Sequence, residues 1–234
     1  MNQRLIKAIG NSINFISYFS SYYAAHLAIN LFSRPQKGKT KISESAFLNT
    51  SIKEAVKYNN FEIMTYHWSG TKDTVLLAHG WESNASRWKN LIDILKSNDY
   101  NIVALDAPAH GNSGSKLFNA LMYSECINVV AEKFSVNIIV GHSVGGMASV
   151  FAQKNHQIQS INKLVLLGAP ADFLGVFNRY EKMMGYNNKV SNAMYQYVFK
   201  HYNHLPEYFS AANFSKEITA KGLIIHDKKD RIIP

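Results

Sequence analysis

"NIIVGHSVGG", Asn137 to Gly146, decides how this chain is read. An apolar run ends in a serine set between glycines, and "VGGMASVFAQK" (Val144–Lys154) follows with helical composition. Gly141, Ser143 and Gly145 fit G-x-S-x-G. That spacing has a physical reason. A serine on a sharp strand-to-helix turn is held in a strained backbone conformation, and the residues two positions away approach so closely that they must be small. The turn lifts the hydroxyl above the sheet edge. The following helix points its N-terminus at the place where negative charge develops. The plain alternative is a polar residue in an ordinary turn. The strand before it and the helix after it favour the nucleophile.

The same apolar texture recurs on either side of the serine. "TVLLAHG" (Thr74–Gly80) and "NIVALDAPAHG" (Asn101–Gly111) precede the serine; "KLVLLGAP" (Lys163–Pro170) and "KGLIIHD" (Lys221–Asp227) follow it. Between them Trp88, Leu91, Ile92 and Leu95, then Tyr123, Ile127, Val130 and Phe134, repeat at helical spacing. Short apolar runs alternating with amphipathic helices predict βαβ units and a parallel sheet buried on both faces. "SIKEAVKYNNFEIMTYHW" (Ser51–Trp68) carries Asn59-Asn60 between two β-like runs, which predicts a hairpin at one sheet edge. The class is α/β: a mostly parallel sheet flanked by helices, with an N-terminal hairpin. Residues 171–215 are too long for a βα loop and rich in Phe, Tyr and Met, so they are read as a helical cap insertion.

The bulk properties agree. With 234 residues, 47% hydrophobic and 18% charged, the chain can build one sizeable core. The net charge of +9 is uneven: Arg4, Lys7, Arg34, Lys37, Lys39 and Lys41 all precede the first acid, Glu44. Residues 8–33 hold no Asp, Glu, Lys or Arg, yet Asn and Ser interrupt them too often for a membrane span or a secretory signal. Leu5, Ile9, Ile13, Ile16, Phe19, Tyr23, Leu27 and Leu31 suit one amphipathic helix, packed on the body or lying on a membrane surface. "RPQKGKTK" (Arg34–Lys41) reads as a linker. The predicted layout is a basic helix and linker over 1–41, a core over 42–170 and 216–234, and a cap over 171–215. The single cysteine, Cys126, cannot form an internal disulfide and is read as core. Nothing asks for an oxidising compartment, so the expected location is cytoplasmic, with peripheral membrane contact through residues 1–33 as the variant. No motif or basic-aromatic stripe points to nucleic acid.

The oxyanion donors expected around Ser143 are the backbone N–H groups of Val144, which opens the helix, and Trp81, in the His-Gly turn after the first parallel strand. His79 is read as stabilising that turn. His142, beside the serine, is read as buried and hydrogen-bonded, because the turn points neighbouring side chains apart.

Taken together, "LLAHGWESNASRW", "VALDAPAHGNSG", "IVGHSVGG", "LVLLGAP" and "LIIHDKKDRIIP" resemble the successive landmarks of the α/β-hydrolases, in order, from Thr74 to Pro234. Ala109 stands where that family most often has glycine. The resemblance implies a serine hydrolase of carboxylic esters or thioesters that works through an acyl-enzyme, with no metal and no organic cofactor. Its acid falls on Asp230, with Asp227 second and Asp172 a remote third. The family order is serine, acid, histidine. After Asp230 come only Arg231, Ile232, Ile233 and Pro234, and all nine histidines lie upstream. The expectation is therefore a C-terminally truncated hydrolase with little activity and an unpaired, poorly soluble last strand. Two other outcomes are a degenerate or binding-only relative, and recruitment of His226, His110 or His204 as base. The aromatic and Met-rich insertion suggests an apolar acyl group in a small-molecule substrate. A cofactor-free C–C hydrolase or haloperoxidase reuses the same turn, whereas a dehalogenase would carry an acid at position 143.

Overall fold

The computed structural model describes residues Asn2–Ile233. In chain order its main elements are α1 (Gln3–Ile16), α2 (Ser21–Phe32), α3 (Ile42–Leu48), β1 (Ile52–Tyr58), β2 (Phe61–Trp68), β3 (Lys72–Ala78), α4 (Lys89–Ser97), β4 (Tyr100–Leu105), α5 (Ala120–Lys133), β5 (Ile138–His142), α6 (Val144–His156), β6 (Lys163–Leu167), α7 (Phe173–Met184), α8 (Asn188–Tyr202) and β7 (Lys221–Ile225). They fall into two compact units. One comprises the residues up to Arg34 together with Ala171–Ala211; the other comprises Pro35–Pro170 and the residues from Ala212 onward.

The second unit is built on a seven-stranded sheet in the order β1-β2-β4-β3-β5-β6-β7. β1 and β2 form a hairpin closed by Asn59-Asn60, with Tyr58 opposite Phe61 and Asn59 at φ +47°. β2 runs antiparallel to β4, and every later pairing is parallel. The apolar runs of β3, β4 and β5 are continuous because these central strands are covered on both faces. Leu76, Val103, Leu105 and Ile139 point toward Ile127 and Val130 of α5 and Ala148 and Ala152 of α6. Val75, Leu77, Ile102 and Ile138 point the other way, toward Ile92 of α4 and Leu48 of α3. Cys126 is fully buried on the α5 side, and burial pushes its thiol pKa up.

The end of the sheet differs. Among the described residues β7 pairs only with β6, and all five of its residues are exposed; Ile224 leaves 71% of its surface open.

The first unit is helical. The stretch read as one amphipathic helix is two, because Ser20 caps a new start: its side chain accepts from the Tyr23 N–H at 3.2 Å. The partner of α1 and α2 is the distant insertion. Gly10 lies so close to Met184 that a Cβ there would sit 1.8 Å from the Met184 carbonyl oxygen. Asn14 donates to Gly185 O and accepts from Asn187 N–H, both at 2.8 Å, pinning the α7–α8 turn. Tyr180 OH donates to Ala28 O at 3.2 Å. The linker reading of Arg34–Lys41 also needs correction. From Pro35 the chain belongs to the sheet unit, where Gln36 N–H donates to Glu82 Oε1 and Gly38 O accepts from Gly111 N–H.

Candidate active site

Ser143 occupies the bend between β5 and α6 at φ +51°, ψ −127°. This is sparsely populated space for a residue with a Cβ, of the kind that costs roughly 1–3 kcal/mol and persists only where surrounding structure enforces it. The enforcement is visible. Ser143 N–H donates to Leu167 O at 2.9 Å, and Ser143 O accepts from the N–H groups of Gly146 and Met147. The small neighbours are equally constrained. A Cβ at Gly141 would meet Gly146 Cα at 2.5 Å, and one at Gly145 would meet Ala78 O at 2.4 Å. Among the described residues the Ser143 hydroxyl makes no hydrogen bond.

The turn after β3 passes directly beside it. A Cβ at Gly80 would lie 3.0 Å from Ser143 Cβ and 2.8 Å from His142 Nδ1. Trp81 follows, partly exposed. Val144 N–H is the first of α6 and has no acceptor within the helix.

Two buried histidines hold this turn. His79 Nδ1 donates to Gly80 O at 2.7 Å while its Nε2 accepts from Ala107 N–H at 2.9 Å. His110 Nδ1 donates to Pro108 O at 2.8 Å while its Nε2 accepts from Glu82 N–H at 3.0 Å. Both rings are thereby the neutral Nδ1–H tautomer, and burial pulls both pKa values down to about 4. Beneath them lies a residue that sequence reading passed over. Asp106 is fully buried, and it accepts from Ala85 N–H, Asn112 N–H and Tyr66 OH, each at 2.8 Å. Burial pushes its carboxyl above the ordinary range, against the pull of those donors. Its signal was its position, between an apolar strand and a Gly-rich turn: a Cβ at Gly111 would fall 2.0 Å from the carboxylate.

Asp230 lies beyond β7. Its Oδ1 accepts from Ile232 N–H at 2.8 Å and Ile233 N–H at 2.9 Å, and these bonds hold its pKa below the usual carboxylate value. Its Oδ2 points back toward the end of β6, 3.9 Å from where a Gly168 Cβ would be. Asp227 is spent on its own turn, accepting from Lys229 N–H at 2.8 Å. Asp172 caps α7 through Gly175 N–H, in the helical unit.

The histidines singled out as substitute bases are engaged elsewhere. His110 uses both ring nitrogens as above. His226 Nε2 donates to Ile233 O at 2.7 Å and stays 3.9 Å from Asp230 Oδ2. His204 stacks on Tyr208, with ring centroids 3.6 Å apart. His142 departs from expectation: its Nδ1 is buried but has no hydrogen-bond partner. Burial and then the Arg87 cation pull its pKa down to about 4, with Asp230 pulling the other way. Arg87, also unforeseen, therefore lies within electrostatic reach of both His79 and His142. Among the described residues no three His, Cys, Asp or Glu side chains converge as metal ligands would.

Residues 73–220 match the family described as alpha/beta hydrolase fold. The chain is 25% identical over 117 residues to a pimeloyl-[acyl-carrier protein] methyl ester esterase of Vibrio atlanticus, covering 48% of this chain and 42% of that one. It is 33% identical over 121 residues to a serine hydrolase-like protein of Homo sapiens, covering 49% of this chain and 58% of that one. The chain thus spans about half the length of the curated relatives it matches. Mouse alpha/beta hydrolase domain-containing protein 10 has a similar fold, with a TM-score of 0.59 at 14% identity over 79% of this chain and 80% of that one.

Proposed function

The chain belongs to the α/β-hydrolase fold family, and from that premise we propose that it is a serine hydrolase of carboxylic esters or thioesters. The observation that carries this is the backbone of Ser143: φ +51° at a strand end, with the Gly80 turn pressed against its Cβ. Ser143 Oγ attacks the carbonyl carbon. The N–H groups of Trp81 and Val144 stabilise the oxyanion, each worth about 10²–10³ in rate. The proton lost by Ser143 Oγ passes through a base to the leaving alkoxide or thiolate as its bond to the carbonyl carbon breaks; water then attacks the acyl-serine, releasing the acid and returning a proton to Oγ. Asp230 is the acid. It stands beyond β7, with β6 between that strand and the serine's. The aromatic and Met-rich residues 171–215 point to an apolar acyl group, and the ester and serine-hydrolase relatives point to the same reaction class.

One observation favours a second reading, a hydrolase-like binding protein. His226 is held by Ile233 O, and no described histidine bonds to Asp230. A triad without its base can lose about 10⁶ in turnover, so hydrolysis by these residues alone is expected to be very slow. A fluorophosphonate probe with and without added imidazole separates the readings. The hydrolase reading expects labelling that imidazole accelerates and that Ser143→Ala abolishes. A chain that stays unlabelled with imidazole, or that labels equally well as Ser143→Ala, refutes it.

A further inference from the structure

The helical unit carries a patch that its own packing does not use. α1 and α2 bury small residues and one aliphatic, Gly10, Ile13, Ala24, Ala25 and Ala28, facing α7 and α8. The turn between them turns five aromatic rings outward instead. Phe15, Tyr18, Phe19, Tyr22 and Tyr23 are each more than half exposed, Phe19 reaching 81%. Phe15 and Phe19 meet edge to face at 5.4 Å, so these two rings form one continuous apolar surface. Water gives such a patch no stabilisation, and contiguous exposed apolar surface marks an interaction site.

Charge identifies the partner. Lys189 Nζ sits 4.6 Å from the Tyr18 ring centroid and Lys200 Nζ 5.6 Å from that of Tyr22. Arg4 and Lys7 are exposed on α1, and no acid precedes Glu44. Within the unit seven Lys and Arg (Arg4, Lys7, Arg34, Arg179, Lys182, Lys189, Lys200) face three acids, Asp172, Glu181 and Glu207. Tyrosine and phenylalanine rings beside lysines suit the boundary between headgroups and acyl chains. Rings there leave water, hydroxyls stay wet, and the ammonium groups meet lipid phosphates. We propose that the α1–α2 turn docks this protein on an anionic lipid bilayer. The contact is peripheral: no described helix is long and apolar enough to cross a membrane.

Flotation of the full chain tests this with vesicles of phosphatidylcholine alone and of phosphatidylcholine mixed with phosphatidylglycerol. The expected result is binding to the mixed vesicles only, weakening as sodium chloride is raised. Each cation near the surface contributes about fivefold, so Lys189→Gln with Lys200→Gln should weaken binding by about 25-fold. Phe15→Ser with Phe19→Ser should weaken it at least tenfold. The altered side chains are exposed, and circular dichroism verifies their fold; the lipid and salt comparisons on the unaltered chain stand without them. Four outcomes overturn the proposal: no binding, equal binding to both vesicle types, variants that bind undiminished, or a patch-dependent dimer or nucleic-acid complex in a chain that ignores vesicles. Flotation reads binding alone, so its result is independent of whether Ser143 is a nucleophile.

Discussion

Acid should loosen the turn beside Ser143, and the size of the effect follows from two rings. His79 and His110 are fully buried, and each uses one nitrogen as donor and the other as acceptor to the backbone. A proton on either ring adds a donor where Ala107 N–H or Glu82 N–H already points. Each ring therefore titrates at about 4 in the fold, against 6.5 in a solvated chain. Between those values the unfolded state binds more protons, so stability is full above pH 6.5 and falls as the pH drops toward 4. Integrated from about pH 7.5 to about pH 5, the loss is about 2 kcal/mol for each ring and about 4 kcal/mol for both. Urea unfolding followed by circular dichroism at the two pH values should show the midpoint falling by roughly 1–2 M. His110→Gln keeps an acceptor for Glu82 N–H but no titrating ring, and should remove about 2 kcal/mol of the loss, about a third of it once His142, also pulled down to about 4, is included. An unchanged midpoint at pH 5, or a His110→Gln chain as acid-sensitive as its parent, would refute the reasoning.

Gly145→Ala drives a methyl into two backbone carbonyl oxygens, Ala78 O at 2.4 Å and His79 O at 2.5 Å; a melt should show a loss of about 1–3 kcal/mol or more, and phosphonylation of Ser143 should disappear. Ala109 is held at φ +64°, a conformation that costs a residue with a Cβ about 1–2 kcal/mol, so Ala109→Gly should raise the melting temperature by a few degrees despite glycine's greater chain entropy. Ile224→Lys places a charge on the most exposed apolar residue of β7 and should reduce self-association in light scattering, as charged edge strands do; unchanged scattering would show that β7 is not the adhesive surface.

The central strands were legible because burial on both faces leaves a plain mark, and β7 carries the same apolar run although its residues are exposed. Each of the five predicted parallel runs became a strand, and Asn59-Asn60 became the two-residue loop of an edge hairpin. The N-terminal helices were harder to read. The hydrophobic spacing from Leu5 to Leu31 runs on across Ser17–Ser20, because the outward aromatic rings keep a helical period that the backbone does not. Nor does periodicity say what a helix packs against. The partner of Gly10 is Met184, a contact that depends on the absence of a side chain on one side and a carbonyl oxygen on the other.

The same limit explains what was missed near Ser143. G-x-S-x-G can be read from a sequence because three residues within five positions share one steric problem. The support beneath it is assembled from far-separated positions: Asp106 draws on Tyr66, Ala85 and Asn112, and Gly38, taken for linker, supplies the acceptor for Gly111 N–H. A buried carboxylate with three donors and a turn glycine packed against it leaves one sequence trace, an acid after an apolar strand with a glycine five residues on. His142 was misjudged for a related reason. Whether its Nδ1 finds a partner depends on the turn that packs against it at Gly80, 62 positions earlier. A local steric demand shows itself in neighbouring letters. A hydrogen-bonding demand met across the fold does not, so the serine could be identified before the residues that hold it.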